Sequence, residues 1–84
     1  MAEILIVEDE FSINELIRRN LSLTGHRCTQ ALDGLSAAAL LENGSFDLVV
    51  LDIMLPGLDG YQVYEKALGT PTIFLTAKSE LSDK

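Results

Sequence analysis

Acidic side chains follow two apolar segments of this chain, and their placement predicts a site for a divalent cation. Leu48–Leu51 runs into Asp52, and Ile4–Val7 runs into Glu8 and Asp9. A buried strand that ends on a carboxylate and breaks into a loop presents that carboxylate at the end of a sheet. In open parallel sheets, ligands collect at the carboxyl ends of the strands. The sequence therefore predicts that these three carboxylates meet at one edge of a sheet.

A hard cation would relieve the repulsion among the three carboxylates. Mg²⁺ suits such a pocket, because it prefers oxygen ligands and binds few protein groups while it keeps several waters. Its charge would also neutralise an incoming phosphoryl group. A hydroxyl, Thr76, follows another apolar segment, Thr72–Leu75, and is expected at the same edge. The pattern therefore indicates a divalent-cation site built around a carboxylate that can be modified.

The rest of the chain supplies the elements that would position these side chains. Ser12 is predicted to cap the first helix, with Glu15 at the capping-box spacing, and Gly25 is predicted to end it. The apolar stripe of this helix is predicted at Ile13, Leu16, Ile17, Leu21 and Leu23. The predicted strands are Glu3–Val7, Arg27–Ala31, Asp47–Leu51 and Thr72–Leu75, and the second and third helices are Leu35–Glu42 and Gly60–Leu68.

Strands that alternate with helices predict an α/β fold with a parallel sheet and right-handed crossovers. The chain has 84 residues, so one small domain is expected. Its net charge of −7 argues against nucleic-acid binding by this segment, because phosphates require a basic surface. No apolar run approaches the roughly 18 residues of a membrane span, so a cytoplasmic protein without membrane contact is expected. Cys28 is predicted to be a small core residue.

Three segments taken together resemble the response-regulator receiver domains of bacterial two-component signalling: ILIVEDE (4–10), DLVVLDIMLPGLDG (47–60) and TPTIFLTAK (70–78). The middle segment looks most like regulators that carry a winged-helix DNA-binding output domain. The resemblance implies a flavodoxin-like, doubly wound parallel sheet with strand order 2-1-3-4. It also implies that 1–84 is a single partial receiver domain, because the family's fifth strand and fifth helix would follow Lys84.

The resemblance assigns roles residue by residue. Asp52 matches the phosphoacceptor, which takes its phosphoryl group from a phosphohistidine of a sensor histidine kinase. Asp9 matches a direct Mg²⁺ ligand, and Glu8 matches a pocket carboxylate that acts through a metal-bound water. The remaining matches are the Met54 backbone carbonyl as a metal ligand, Thr76 as the switch hydroxyl, and the Ala77 backbone amide as a group that binds the phosphoryl oxygens. These roles describe a signalling phosphoacceptor rather than an enzyme.

Two departures from the family pattern leave an alternative open. The family places an essential lysine at the end of a fifth strand, and Lys78 is not predicted to replace it. The third helix is also about one turn shorter than usual. A fourth strand without a fifth beside it would be an unprotected edge, which predicts low monomer stability and dimerisation. The alternative is a truncated fragment that is inactive in phosphotransfer.

Two further readings fit the sequence less well. A phosphohydrolase of the haloacid dehalogenase type requires a second acid two residues after its aspartyl nucleophile, and this chain has Met54 at that position. A nucleotide-binding domain requires a glycine-rich loop after the first strand, and this chain has Glu8–Phe11 there. His26, Asp33 and Asp59 are expected to be loop and turn residues. Arg18 and Arg19 are expected either to form a solvated helix face or to contact the kinase.

Overall fold

The computed structural model of the chain describes residues 2–52, 60–67 and 69–75. Strands and helices alternate along these residues, as the sequence predicts. The elements are β1 (Glu3–Val7), α1 (Phe11–Leu23), β2 (Arg27–Ala31), α2 (Gly34–Asn43), β3 (Leu48–Asp52), α3 (Gly60–Lys66) and β4 (Thr72–Leu75). Three strands have the predicted bounds, and the other, β3, begins and ends one residue later than predicted, so that it includes Asp52.

All described strand pairs are parallel, and the sheet order is β2-β1-β3-β4. This result confirms the predicted fold class and strand order. The chain changes direction across the sheet between β1 and β3, where Val7 pairs with Leu51. Such a point of reversal opens a crevice beyond the carboxyl ends of the two strands. The sheet therefore carries Glu8 and Asp52 to one place.

Helices cover both faces of the sheet because successive strand residues point to opposite sides. On one face, Leu5, Val7 and Leu51 pack with residues of α2 and α3, among them Ala37 and Val63. On the other face, the buried residues are Ile4, Ile6 and Val50, and they pack against Ile17 and Leu21 of α1 and against Cys28. The two cores make the sheet doubly wound, as predicted, and the partly buried Cys28 lies in the second core.

The start of α1 differs from the prediction. The N-cap residue is Glu10, whose side chain makes no capping hydrogen bond, and Ser12 lies inside the helix. The predicted positions 17 and 21 pack against the sheet, and Asn14 joins them as a fully buried residue, whereas Leu16 is 59% exposed and Leu23 is 85% exposed. The predicted capping box and the predicted burial of these two leucines were wrong. Burial follows the spacing 14, 17, 21, which is one helical stripe.

The other helix ends agree more closely with the sequence. Gly25 follows α1 with a φ of 91°, in the left-handed region that glycine tolerates. Asp33, predicted as a turn residue, caps α2 because its Oδ1 accepts the Ser36 N–H at 2.7 Å. This hydrogen bond lowers the pKa of the Asp33 carboxyl. The third helix ends at Lys66, two residues before the predicted end at Leu68, which lies outside the described residues.

Glu15 contacts Arg18 instead of capping α1. Its two carboxylate oxygens accept from Arg18 Nε at 3.0 Å and Nη2 at 2.5 Å, and Gln30 donates to Oε1 at 3.1 Å. These bonds, led by that from Arg18, lower the pKa of Glu15 from its ordinary value of 4.5 to about 2. The same contact raises the pKa of Arg18.

The contact with Arg18 should be visible in the titration of Glu15. In the unsubstituted protein, Glu15 should titrate with a pKa of about 2, and in Arg18→Gln its pKa should rise toward 4.5. Because the folded pKa is the lower one, the contact stabilises the fold above the ordinary pKa, and this contribution is lost as pH falls toward the folded pKa. NMR titration of side-chain carboxyl carbons measures both values. Arg19→Gln is the matched control and should change the Glu15 pKa little; an unchanged pKa in Arg18→Gln would contradict the prediction.

Candidate functional site

Three carboxylates meet at the carboxyl edge of the sheet. Glu8 and Asp9 directly follow β1, and Asp52 is the last residue of β3. One carboxylate oxygen from each residue can be chosen so that all three lie within 4.8 Å of one another. The neighbouring positions of β1 and β3 produce this convergence, since Val7 pairs with Leu51 and the next residue of each strand is acidic. The predicted meeting of the three side chains is therefore confirmed.

The three acids differ in exposure. Glu8 is 0% exposed and Asp52 is 1% exposed, whereas Asp9 is exposed. Burial excludes water from a carboxylate and strengthens its interaction with a nearby cation. The arrangement therefore presents two buried carboxylates and one that faces solvent. A small ion that enters the cluster from solvent would contact Asp9 first.

The backbone around Glu8 is held by hydrogen bonds. The Glu8 N–H donates to the Ala31 carbonyl at 3.1 Å, which extends the pairing of β1 with β2 by one residue. The Glu8 side chain turns back, and its Oε2 accepts the Glu10 N–H at 2.8 Å. Asp9 lies between these two anchored residues. The acidic segment therefore has a defined path from β1 into α1.

Asn14 is a site-adjacent residue that the sequence analysis missed. It is fully buried on the first turn and a half of α1, and its Nδ2 donates to the Glu8 carbonyl at 3.0 Å and to the Ala31 carbonyl at 3.1 Å. The sequence did contain a signal for this residue. Asn14 is a polar residue on the same helical stripe as the apolar Ile17 and Leu21.

Three predicted site residues, Met54, Thr76 and Ala77, lie outside the described residues, as do Asp59 and Lys78. The nearest described residue to the predicted switch position is Leu75, the register partner of Asp52 in β4. The roles predicted for Met54, Thr76 and Ala77 stay predictions.

The opposite edge of the sheet carries a different set of polar groups. His26 Nδ1 accepts the Ala2 N–H at 3.1 Å, and Asp47 Oδ2 accepts the Glu3 N–H at 2.8 Å. Arg27 pairs with Glu3 at 3.5 Å. These contacts tie the amino ends of β1, β2 and β3 together. His26 therefore has a local structural contact at the edge away from the acids, as its predicted loop role implies.

The donor set suits a hard divalent cation. Carboxylate oxygens are ligands that Mg²⁺ prefers, and a pocket with few protein oxygens leaves coordination positions for water. In residues 2–52, 60–67 and 69–75, the group formed by Glu8, Asp9 and Asp52 is the one cluster of acids, histidines or cysteines with metal-binding geometry. No helix in this part of the chain is long and apolar enough to span a membrane.

Comparison with known proteins agrees with these observations. A family model described as the response regulator receiver domain matches residues 4–84. The transcriptional regulatory protein TcrA of Mycobacterium tuberculosis is 40% identical, over 96% of this chain and 34% of its own length. The response regulator MprA of Mycobacterium sp. strain KMS is 39% identical, over 96% of this chain and 37% of its own length. The chain thus spans about a third of the length of these curated relatives.

Solved structures show the same fold. The response regulator TrrA from Thermotoga maritima, in complex with Mg²⁺-BeF, has a TM-score of 0.86 and 34% identity over 100% of this chain and 76% of that chain. The receiver domain of sensor histidine kinase PA1611 from Pseudomonas aeruginosa PAO1 has a TM-score of 0.84 and 33% identity, over 98% of this chain and 72% of that chain. The latter has a magnesium ion coordinated in its active-site cleft.

Proposed function

The chain belongs to the response regulator receiver domain family, and from this membership we propose that Asp52 accepts a phosphoryl group beside an Mg²⁺ site formed with Glu8 and Asp9. Members of this family are the phosphoacceptor domains of two-component systems. The observation that supports the assignment to Asp52 is the convergence of three carboxylates within 4.8 Å, at the point between β1 and β3 where the strand order reverses. Asp52 is one of the two buried members of the cluster, and it is the one that belongs to a strand, as the last residue of β3.

The proposed step transfers phosphorus from nitrogen to oxygen. A carboxylate oxygen of Asp52 attacks the phosphoryl group of a phosphohistidine, and an O–P bond forms as the P–N bond breaks. The electron pair of the broken bond returns to the imidazole of the donor, and Asp52 becomes an acyl phosphate. Bound Mg²⁺ would supply positive charge that offsets the charge of the phosphoryl oxygens.

The residues of the pocket would divide the remaining tasks. Glu8 and Asp9 would hold the cation, with Asp9 as a direct ligand and Glu8 acting through a metal-bound water. The fixed backbone from Glu8 to Glu10 supports these roles, since metal sites need ligands in a preset geometry. By resemblance alone, we assign a main-chain ligand to Met54, the switch hydroxyl to Thr76 and a phosphoryl-binding amide to Ala77.

The wider function is proposed from the relatives. A sensor histidine kinase would be the phosphodonor, and a transcriptional output domain that binds DNA would receive the signal, since TcrA is a transcriptional regulatory protein. The receiver segment itself carries a net charge of −7, so its direct contact with nucleic acid is not expected. Regulation of transcription would take place in the cytoplasm. We also propose that residues 1–84 belong to one receiver domain, because the described elements share a single sheet.

Acyl phosphates can be located chemically, which gives a direct test of this function. The full-length protein is incubated with Mg²⁺ and a small phosphodonor such as acetyl phosphate, and is then reduced with borohydride. The reduction converts the phosphorylated aspartate to homoserine, which peptide mass spectrometry locates. We expect homoserine at position 52, and none when Mg²⁺ is chelated beforehand. Homoserine at another aspartate would reject the assignment of Asp52.

The same preparation separates the phosphoacceptor from a phosphohydrolase. A phosphoacceptor takes up about one phosphoryl group per chain and then stops or turns over slowly, whereas a hydrolase releases phosphate continuously. Release of inorganic phosphate from an aryl phosphate is therefore followed under the same conditions. Sustained multiple turnover that requires Asp52 would favour the hydrolase. Family membership supports the phosphoacceptor.

A further inference from the structure

Asn14 is the buried polar side chain of the described residues that does not belong to the acidic cluster. The fully or almost fully buried polar residues there are Glu8, Asn14 and Asp52. Buried polar groups generally occur where hydrogen bonds satisfy them. The hydrogen-bond partners of the Asn14 amide therefore indicate its role.

The Asn14 side chain joins the start of α1 to the ends of two strands. Its Nδ2 lies 3.0 Å from the Glu8 carbonyl, 3.1 Å from the Ala31 carbonyl and 3.5 Å from the Ile6 carbonyl. An amide nitrogen has two hydrogens, and the two short distances account for both. The two acceptors belong to the residue after β1 and to the last residue of β2. One side chain thus anchors the carboxyl ends of neighbouring strands.

This anchor acts on the segment that carries two of the three acids. Asn14 fixes the Glu8 carbonyl, the Ala31 carbonyl fixes the Glu8 N–H, and Glu8 Oε2 fixes the Glu10 N–H. Asp9 lies between the anchored residues and is exposed. The backbone on either side of Asp9 sets the direction in which its side chain leaves the chain, and therefore contributes to the placement of its carboxylate near Asp52.

We propose that Asn14 is a positioning residue for the cation pocket: it sets the backbone path of residues 8–10 and thereby the affinity of the three carboxylates for Mg²⁺. This inference rests on the proposed function, in which these carboxylates bind the cation. Groups that orient metal ligands from outside the coordination sphere change metal affinity by about 10- to 100-fold when they are removed. Asn14 would be such a group without touching the metal.

A leucine at this position separates positioning from packing. Leucine branches at the same carbon as asparagine, so Asn14→Leu keeps the site filled, with slightly larger groups, and removes both donors. It also removes Oδ1, a buried oxygen without a hydrogen-bond partner among the described residues. A side chain that served packing alone would be replaced by leucine without harm to the site, whereas the positioning role predicts weaker metal binding.

The experiment compares two asparagines of α1 in the full-length protein. Asn20 is exposed and donates to the Leu16 carbonyl of its own helix at 3.0 Å, so Asn20→Leu is the matched control. Mg²⁺ is titrated into each variant, and backbone amide shifts of residues 8–10 are followed by NMR. We expect Asn14→Leu to bind Mg²⁺ about tenfold more weakly than the parent, and Asn20→Leu to bind within a factor of about two.

Two further measurements keep the result interpretable. Hydrogen exchange of the Glu8 and Glu10 amides without metal should be faster in Asn14→Leu and unchanged in Asn20→Leu. Leu21→Ala, which destabilises the same helix at its far end, should keep parental Mg²⁺ affinity in its folded molecules. Parental affinity in both Asn14→Leu and Asn14→Ala would overturn the inference while leaving the proposed function intact. A parent protein that binds no Mg²⁺ would overturn the proposed function and this inference together.

Discussion

Asp52→Asn is expected to take up phosphoryl groups from acetyl phosphate at least about a thousandfold more slowly than the parent protein, on the scale that follows loss of a nucleophile elsewhere. The amide has nearly the same shape as the carboxylate, so the fold should persist. Its oxygen, however, lacks the negative charge and the nucleophilicity that attack on phosphorus requires. Uptake is measured on a phosphate-affinity gel and by intact mass in the presence of Mg²⁺.

The controls for this variant are aspartates at other places in the fold. Asp47→Asn alters a carboxylate at the opposite edge of the sheet, and Asp33→Asn alters the cap of α2; both should be phosphorylated at the parental rate. Asp9 is the informative competitor, because it is exposed and belongs to the same cluster. Parental uptake in Asp52→Asn combined with no uptake in Asp9→Asn would move the acceptor to Asp9.

The fold could be predicted largely because its strands are bounded by strong local signals. Ile4–Val7 is a continuous apolar run that is followed by acids, and Thr72–Leu75 follows a proline. In a parallel sheet, an interior strand such as the first of these has both faces covered, so it lacks the alternation of a half-exposed strand. The convergence of Glu8 and Asp52 then follows from topology, since the carboxyl ends of parallel strands share an edge.

The features that could not be predicted depend on tertiary contacts. The exposure of Leu16 and the burial of Asn14 depend on how α1 packs against the sheet, which the sequence of the helix alone does not show. Propensity alone favours serine as the cap, but Glu10 holds this position because β1 ends nearby and the Glu8 side chain receives its N–H. The role of Asn14 required knowledge that carbonyls from two separate strands converge on it.

The acidic cluster places function and stability in opposition. Two unit charges within 4.8 Å of each other repel by about 3 kcal/mol or more at the effective dielectric constant of about 20 that suits protein sites. Glu8 and Asp52 are buried, so solvent screens their repulsion less than it would at the surface. In the metal-free protein, this repulsion lowers the stability of the fold. A bound cation offsets the repulsion. If removal of one of these charges stabilises the metal-free protein, the cluster serves cation binding rather than the stability of the fold.

Glu8→Gln is expected to stabilise the metal-free protein and to weaken its binding of Mg²⁺. Glutamine can still accept the Glu10 N–H through its side-chain oxygen, so the local hydrogen bond is kept while one buried charge is removed. The free energy of unfolding without Mg²⁺ should rise by on the order of 1 kcal/mol, a discounted share of the Coulomb repulsion. The affinity for Mg²⁺ should fall by at least about tenfold. Urea unfolding with and without Mg²⁺ measures both effects.

Linkage makes the contrast quantitative. Mg²⁺ at a hundred times the parental Kd stabilises the parent by about 2.7 kcal/mol and a variant that binds tenfold more weakly by about 1.4 kcal/mol. The advantage of Glu8→Gln without metal should therefore vanish or reverse when Mg²⁺ is added. Glu3→Gln, which neutralises a partly exposed acid at the opposite edge, should show no Mg²⁺-dependent change of this kind. If Glu8→Gln instead destabilises the metal-free protein and leaves Mg²⁺ affinity unchanged, Glu8 serves the fold through its contact with Glu10, and the cation pocket must be formed without it.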